Sequence, residues 1–324
     1  MDRQALLERF EQDGYVLLED VLDPATDLQP LVDDYAARLD ELTRTWYAQG
    51  ALTSTYSGLP FPQRFERVAA EAGAAGVDWM QYFDFSLPLG NAKPDSPIHL
   101  SEAVFNLLSN PKLLDAVEAI VGPEILLNPI HHVRLKPREA LVPEKLRGGL
   151  TSRTAWHQDQ GVTLPEADAT NLLTVWLPVT EATVENGCLC VIPGSHRVGL
   201  ATHCPGTSTD RQLRIPEPLL AGTPVPLPMR PGSVLLLHRL TEHSSLSNQS
   251  DGIRWSFDLR YQPVGQPTGR PVFPSFVVRS RSQPERVVRD WRDWAAAWYE
   301  TRAALSEDRE PVFNRWSAAA PVCA

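Results

Sequence analysis

The stretch TAWHQDQ, residues 154–160, contains a histidine and an aspartate two positions apart, His157 and Asp159. Residues i and i+2 of a β-strand point to the same face, so on a strand this imidazole and this carboxylate would converge on one point. Together they would form half of a metal chelate. Taken alone, the pair is explained equally well by a surface turn or by a structural His–Asp hydrogen bond, because short motifs often carry no function.

A second histidine on another strand would complete the chelate, since two histidines and one carboxylate with open positions are typical of non-haem Fe(II) sites. His243 is the best candidate, because it follows the apolar run 233–238 and precedes the turn-forming segment SNQSDG (247–252). Arg254 comes next, and we expect a hairpin to return it beside the strand of His243. Arginine is the planar, always-charged partner of a carboxylate, so a metal site and a carboxylate clamp would lie side by side.

The elements that must position these residues begin with a mainly helical part, residues 1–123. Asp23 precedes a proline and fits a helix N-cap, and an apolar stripe repeating every three or four residues follows it. A second helical stretch covers about 101–121, and Asn110 within it is predicted to be the N-cap of a new helix. The segment GYVLLEDVL (14–22) is predicted to be a short strand.

From about residue 124 the sequence changes to short apolar runs separated by clusters of Pro, Gly, Asn and Ser. Several such runs punctuated by turns indicate a β-sandwich or barrel. We predict a single domain, 1–324, with a β core over about 124–265 and a C-terminal helical tail over about 284–304. The apolar runs are 124–136, 171–180, 188–193, 233–238 and 254–263.

The composition narrows the class of protein. The chain has 324 residues, 43% hydrophobic and 22% charged, which is ordinary for a soluble globular protein. Its net charge of −10 is a poor match for nucleic acid or for an anionic membrane. The charged N-terminus has no apolar core of an export signal, and the apolar runs are too short to cross a bilayer. We therefore expect a cytoplasmic protein.

The four cysteines do not suggest a disulfide framework in a chain of this length. Cys188 and Cys190 are expected to be buried free thiols. A zinc site that combines them with His196, His203 and Cys204 is the alternative, but their C-x-C spacing and strand context disfavour it.

Taken together, the motifs resemble those of the phytanoyl-CoA dioxygenase-like branch of the Fe(II)/2-oxoglutarate-dependent oxygenases. That family has H-x-D, then a distal histidine, then an arginine eleven residues later, which is the spacing from His243 to Arg254. WHQDQ (156–160) contains the family's HQD, and PGSHR (193–197) matches its PGSH loop. The resemblance covers nearly the whole chain and is strongest over 124–263.

The resemblance implies a mainly β core with flanking helices, built as a double-stranded β-helix of the jelly-roll or cupin-like kind. It implies that His157, Asp159 and His243 are the catalytic residues and the ligands of Fe(II). It implies further that Arg254 and Ser245 hold the distal carboxylate of the cosubstrate 2-oxoglutarate. Weaker matches to the family's cofactor pocket are Gln158, Trp176, His132 and Thr174.

The implied reaction converts 2-oxoglutarate and O₂ to succinate and CO₂ and oxidises a small molecule, with hydroxylation as the main expectation. Asp159 argues against halogenation, because halogenating relatives have a small residue there that leaves room for chloride. One alternative is a sensor or binding module of the same fold that keeps the metal and lacks turnover. Another is a cupin-like metal isomerase or hydrolase, which needs no carboxylate clamp. Succinate release from 2-oxoglutarate separates all three.

These motifs identify neither the substrate nor the oligomeric state. The segments 47–100 and 139–153 are predicted to be loops longer than a compact domain needs, so we expect them to shape the substrate pocket. The stretch 136–153 has a local excess of basic residues in an acidic chain. This excess is compatible with an anionic substrate, although a solvated flexible lid is the more frequent explanation.

Overall fold

The computed structural model describes residues 3–90, 92–206, 212–308 and 312–323. Two antiparallel sheets form its centre. The strands are β1 (Tyr15–Leu18), β2 (Glu124–Leu127), β3 (His132–Lys136), β4 (Thr154–His157), β5 (Leu173–Pro178), β6 (Leu189–Val191), β7 (Val225–Leu227), β8 (Val234–His238), β9 (His243–Ser245), β10 (Arg254–Pro263) and β11 (Phe276–Ser280).

The larger sheet has seven strands in the order β1-β8-β5-β10-β2-β11, and β3 also pairs with β10. The smaller sheet has the order β4-β9-β6-β7. A cluster of buried side chains joins the two sheets, with Trp176 and Leu235 from the larger one packed with Leu189 and Val191 from the smaller one. Strand β10 is buried almost along its whole length because it has neighbours on both sides.

In the part of the chain that the structure describes, six α-helices flank the sheets. They are α1 (Arg3–Asp13), α2 (Gln29–Ala48), α3 (Phe61–Ala74), α4 (Glu102–Leu108), α5 (Pro111–Val121) and α6 (Trp291–Glu307). The predicted caps are confirmed, since Asp23 accepts from the amides of Ala25 and Thr26, and Asn110 accepts from that of Lys112. Within the described part of the chain, no helix combines the length and the apolarity that crossing a bilayer requires.

One hydrophobic core draws on both ends of the chain. Tyr35 from α2 and Phe65 from α3 pack in the same cluster as Phe257 from β10 and Trp298 from α6. The helices therefore cover the outer face of the larger sheet, where their apolar stripes are removed from water. Segment 47–100 was expected to be loop, but α3 lies within it because its apolar residues Phe65, Val68, Ala69 and Ala72 repeat at helical spacing.

Three predicted boundaries differ from the structure. The run 124–136 forms two strands, because Asn128 and Pro129 break it and the Asn128 carboxamide oxygen accepts from the amide of Ile130 in a local turn. The sheet continues beyond residue 265 through β11, which pairs with β2. The final helix begins at Trp291 instead of Pro284, after a short 3₁₀ turn over Pro284–Arg286.

The predicted hairpin between His243 and Arg254 is wrong, because β9 and β10 belong to different sheets. The connecting turn is anchored away from β9 by Asn248, whose side chain donates to the carbonyls of Lys136 and Gly252. This contact directs the chain toward β3. Arg254 consequently pairs with Lys136 across the larger sheet.

The structure also contains a disulfide, Cys204–Cys323, which the cysteine count did not predict. The two cysteines are separated by 119 residues, so only the return of the C-terminal tail to the core brings them together. Cys188 and Cys190 are free and buried, as expected.

Candidate active site

The three residues of the predicted chelate are brought together by the pairing of β4 with β9, in which His157 and His243 are opposite each other. Strand β4 ends at His157, and Asp159 begins a 3₁₀ turn, so Asp159 is not itself on the strand. Gln158 nevertheless keeps an extended backbone, with φ −115° and ψ 142°. The carboxylate therefore still projects to the same side as the imidazole of His157.

The geometry of the three side chains suits a metal ion. One potential ligand atom from each of His157, Asp159 and His243 lies within 4.8 Å of the others, and all three residues are buried. The Nε2 atoms of His157 and His243 are 3.9 and 3.7 Å from the Asp159 carboxylate oxygens. Within the described ranges, this is the only cluster of three or more His, Cys, Asp or Glu residues arranged in this way, so the zinc alternative finds no support.

Both imidazoles are oriented by backbone carbonyls. Nδ1 of His157 is 2.8 Å from the carbonyl oxygen of Ala155, and Nδ1 of His243 is 2.9 Å from that of Thr241. These contacts favour the tautomer in which Nδ1 carries the proton, leaving the Nε2 lone pair free for a metal. Burial and the neighbouring His243 hold the pKa of His157 well below its usual range, so it is the neutral, ligating form at pH 7.

The carboxylate of Asp159 is held in place by two further side chains. Arg260 donates to Oδ1, and the hydroxyl of Thr174 donates to Oδ2. Burial alone would raise the pKa of Asp159, but the charge and hydrogen bond of Arg260 together with the neighbouring His243 and His157 outweigh it, and the pKa lies well below its usual range. Asp159 is therefore ionised at any physiological pH. Thr174 lies against this carboxylate, next to the metal position.

Arg254 lies completely buried at one end of the same region. Its Nη1 donates to the hydroxyl of Ser256, whereas Nε and Nη2 have no hydrogen-bond partner within the described ranges. Its guanidinium carbon is 5.6 Å from the centre of the Trp176 ring, and Trp176 in turn lines a small cavity shared with His157 and His243. A buried guanidinium with free donors is suited to bind a carboxylate bidentately.

Lys136 is a site residue that the motifs did not identify. It is fully buried, and its Nζ donates to the hydroxyls of Ser245, at 2.8 Å, and Thr154, at 2.9 Å. Ser245, predicted to bind the cosubstrate, thus contacts Lys136, which in turn lies opposite Arg254 on the paired strands β3 and β10. The signal in the sequence was a lysine inside the strand HVRLK, since lysine is almost never fully buried without a partner.

A second cavity, of about 190 Å³, opens beside His157. His132 lines it and pairs through Nδ1 with Asp84 at 2.8 Å, so this predicted residue faces the second cavity. Ser86, Leu89 and Leu150 also line it, in agreement with the expectation that segments 47–100 and 139–153 shape the pocket.

Gln158 is placed differently from the other predicted residues. Its carboxamide donates to the carbonyls of Gly199 and Leu240 and accepts from the amide of Ala201. It does not line either of the cavities beside the metal position. The side chain therefore joins loops behind the metal position, and its assignment to cofactor binding stays a prediction.

Comparison with known proteins agrees with this geometry. The profile of the family described as phytanoyl-CoA dioxygenase (PhyH) matches residues 10–256, which is more than half of the chain. Phytanoyl-CoA dioxygenase domain-containing protein 1 from Mus musculus is 33% identical over 145 residues, 35% of this chain and 47% of the relative, so the match spans about half the length of that relative. A 1-deoxypentalenic acid 11-beta-hydroxylase from Streptomyces exfoliatus is 26% identical over 78% of this chain and 89% of the relative.

Solved structures show the same fold. The non-heme monooxygenase ThoJ, in its apo form, is similar with a TM-score of 0.57 and 20% identity, over 93% of this chain and 98% of that chain. EctD from S. alaskensis, solved with 2-oxoglutarate and 5-hydroxyectoine, is similar with a TM-score of 0.50 and 20% identity, over 82% of this chain and 77% of that chain. The predicted β core with flanking helices, of the jelly-roll kind, is confirmed.

The family match agrees with the expected class of enzyme, an oxidoreductase. The expected cofactors, Fe(II), 2-oxoglutarate and O₂, agree with that family and with the His-Asp-His cluster. The matched range includes the H-x-D motif, the distal histidine and the arginine that follows it. The chain belongs to the phytanoyl-CoA dioxygenase family.

Proposed function

We propose that the protein is an Fe(II)/2-oxoglutarate-dependent dioxygenase that hydroxylates a small-molecule substrate and converts 2-oxoglutarate and O₂ to succinate and CO₂. The observation that carries this proposal is the buried cluster of His157, Asp159 and His243 beside the partly unsatisfied guanidinium of Arg254. A metal site alone would fit many reactions. A metal site next to a buried clamp for a carboxylate fits a 2-oxo dicarboxylate cosubstrate in particular.

In this proposal His157, Asp159 and His243 hold Fe(II), which when bound supplies the oxidising chemistry with O₂. The protein contributes ligation and orientation. The carbonyls of Ala155 and Thr241 fix the tautomers of both histidines. A facial set of three ligands leaves positions open for the cosubstrate.

The far carboxylate of 2-oxoglutarate would be bound by Arg254, Lys136 and Ser245, with Trp176 as one wall. All four residues are buried, so water is excluded and each charged hydrogen bond is stronger than it would be in solvent. The role proposed for Arg260 and Thr174 is to hold the Asp159 carboxylate ionised and in one orientation. Roles in the cofactor pocket for His132 and Gln158 are also part of the proposal.

The substrate is proposed to be a small molecule that enters the 190 Å³ cavity beside His157. This volume lies below the roughly 300–1,000 Å³ of pockets for drug-sized ligands. The similar hydroxylase from Streptomyces exfoliatus acts, by its name, on an acid. An anionic substrate is therefore part of the proposal.

The test is succinate formation by purified protein with Fe(II), 2-oxoglutarate and O₂. Members of this reaction class are expected to release some succinate even without the primary substrate, and the release should stop when a chelator removes the metal. A protein that binds 2-oxoglutarate with its metal and releases no succinate under any condition would instead be a sensor or binding module. A protein that neither binds nor converts 2-oxoglutarate would contradict the proposal.

A further inference from the structure

The 190 Å³ cavity beside His157 has two kinds of wall. Its apolar residues are Leu89, Pro129, Ile130, Leu150, Val162 and Phe273. Its other lining residues, apart from Ser86 and His157, are basic, namely His132, Arg134, Arg260 and Arg270. A charged basic group that is shielded from water is stabilised by a nearby anion. A basic group of the cavity that has no carboxylate partner within the protein therefore indicates what kind of ligand the cavity binds.

Three of these four basic groups already have a carboxylate partner. His132 pairs with Asp84, and Arg134 pairs with Asp258. Arg260 pairs with Asp159, which is also the candidate metal ligand. These three basic groups are therefore neutralised by carboxylates of the protein itself.

Arg270 is different. It is 2% exposed, and its Nη2 donates to the carbonyl of Val162 at 2.7 Å. Its guanidinium carbon lies 5.2 Å from the centre of the Phe313 ring. Its Nε and Nη1 have no hydrogen-bond partner within the described ranges. The exposed Glu166 acts on it only through its charge.

The guanidinium of Arg270 keeps its proton at physiological pH. Burial lowers the pKa of Arg270 to about 10, which is still well above 7. A buried cation without an anion is unfavourable, and proteins usually pair such a group or use it to bind a ligand. Fe(II) and 2-oxoglutarate would not supply the negative charge that Arg270 lacks. The two positive charges of Fe(II) offset the two negative charges of 2-oxoglutarate, and the far carboxylate of 2-oxoglutarate is available to Arg254.

We propose that Arg270 binds an anionic group of the primary substrate, and that this substrate is a compact carboxylate with an apolar body. The carboxylate would accept hydrogen bonds from Nε and Nη1 of Arg270, while Leu150, Ile130 and Phe273 contact the apolar part. His157 lines the same cavity, so the bound molecule would lie next to the metal position. This inference rests on the proposed function for the type of reaction, and it adds the class of molecule on which the enzyme acts.

The test compares matched probes by calorimetry and by thermal shift on the full-length protein at saturating 2-oxoglutarate. A series of monocarboxylates from acetate to cyclohexanecarboxylate is measured beside the corresponding uncharged amides. We expect at least one carboxylate to bind about tenfold or more tightly than its amide, since a charged hydrogen-bonded pair is lost in the amide. Arg270→Gln should remove this preference, and Arg270→Lys should restore part of it.

Arg302→Gln is the matched control. Arg302 also donates to one backbone carbonyl, that of Ser96 at 3.0 Å, and lies 5.0 Å from an aromatic ring, that of Tyr299. It does not line the cavity. Arg302→Gln should therefore leave the preference for carboxylates unchanged.

Two results would overturn the inference. One is that no carboxylate of the series binds the wild-type protein more tightly than its amide. The other is that Arg270→Gln keeps the full preference while its melting temperature falls, which would make Arg270 a structural cation. Succinate release from 2-oxoglutarate by the wild type, measured without any probe, tests the proposed function separately, so failure of one can be told from failure of the other.

Discussion

Lys136 and Arg254 occupy directly opposite positions on the antiparallel strands β3 and β10, and neither is exposed to solvent. Burial, and after it the charge of Arg254, lowers the pKa of Lys136 well below its usual range. Two basic side chains held together in a dry interior favour the binding of an anion between them. The distal carboxylate of 2-oxoglutarate meets this need in the proposed function.

Arg254→Ala is expected to raise the apparent KM for 2-oxoglutarate by roughly a hundredfold or more. Loss of one partner of a buried charged pair costs about 3–5 kcal/mol, and about 1.4 kcal/mol corresponds to tenfold. Iron affinity should change far less, and Arg254→Lys should recover part of the loss because it restores charge without the planar fork. Succinate formation against 2-oxoglutarate concentration provides the measurement. An unmoved curve for Arg254→Ala would mean that the cosubstrate is held elsewhere.

Lys136→Met is expected to raise the same KM by about tenfold or more, because a hydrogen bond to a charged group contributes about 1.5–3 kcal/mol. The folded protein should keep its stability or gain some, since the substitution removes a buried basic group. Lys145→Met is the control, because Lys145 is exposed in the same basic segment. Equal cosubstrate affinity of Lys136→Met and wild type would restrict Lys136 to positioning Ser245.

His243→Ala is expected to abolish tight iron binding and succinate formation while the protein stays folded. A site with three protein ligands cannot lose one and keep its affinity. Asp159→Ala is a less clean test, because it also leaves the buried Arg260 without its carboxylate and should lower stability. His196→Ala is the control, since His196 contacts the carbonyl of Glu11 away from the metal position. Unaltered iron content of His243→Ala would refute the assignment.

The unfolding free energy is expected to fall as the pH is lowered from about 7 toward 4. Burial lowers the pKa of His131 to about 3 and those of His203 and His238 to about 4, and it lowers that of His157 as well. Each histidine takes up a proton near pH 6.5 when unfolded and stays neutral when folded, so stability present above that pH is lost below it, by up to about 1.4 kcal/mol per pH unit for each.

His131→Phe isolates one of these contributions. His131 stacks on Phe85 with ring centroids 4.6 Å apart, so an aromatic replacement preserves the packing. Denaturant titrations between pH 7 and 4.5 should show that the unfolding free energy of this variant depends less steeply on pH. The difference in slope should correspond to the uptake of as much as one proton on unfolding. An identical slope in both proteins would show that His131 is protonated in the folded state.

Cys323→Ser is expected to lower the unfolding free energy by up to about 4–5 kcal/mol, because the disulfide closes a loop of more than a hundred residues. The C-terminal segment should loosen, including the contacts of Trp316 with Gly161 and His203. Reductant should reproduce the effect in wild type and have no further effect on Cys323→Ser. If reductant leaves the wild-type melting temperature unchanged, the bond does not form or does not stabilise the fold.

The sequence by itself determined the family and the β core with flanking helices, and it identified the residues that we propose carry the chemistry. His157, Asp159, His243 and Arg254 could be predicted because the motif has a fixed spacing, which local backbone geometry translates into a common direction. The caps at Asp23 and Asn110 were predictable for the same reason, since they depend on contacts within three residues.

Only the tertiary structure decided which distant residues surround that motif. Lys136 is placed by the register of β3 against β10, and Arg260 reaches Asp159 from 101 residues away. Cys204 meets Cys323 because the tail returns to the core. The sheet to which β10 belongs depended on Asn248 and on pairing with distant strands. Such contacts leave no periodic pattern in the sequence, because they arise from the packing of whole elements and not from local conformation.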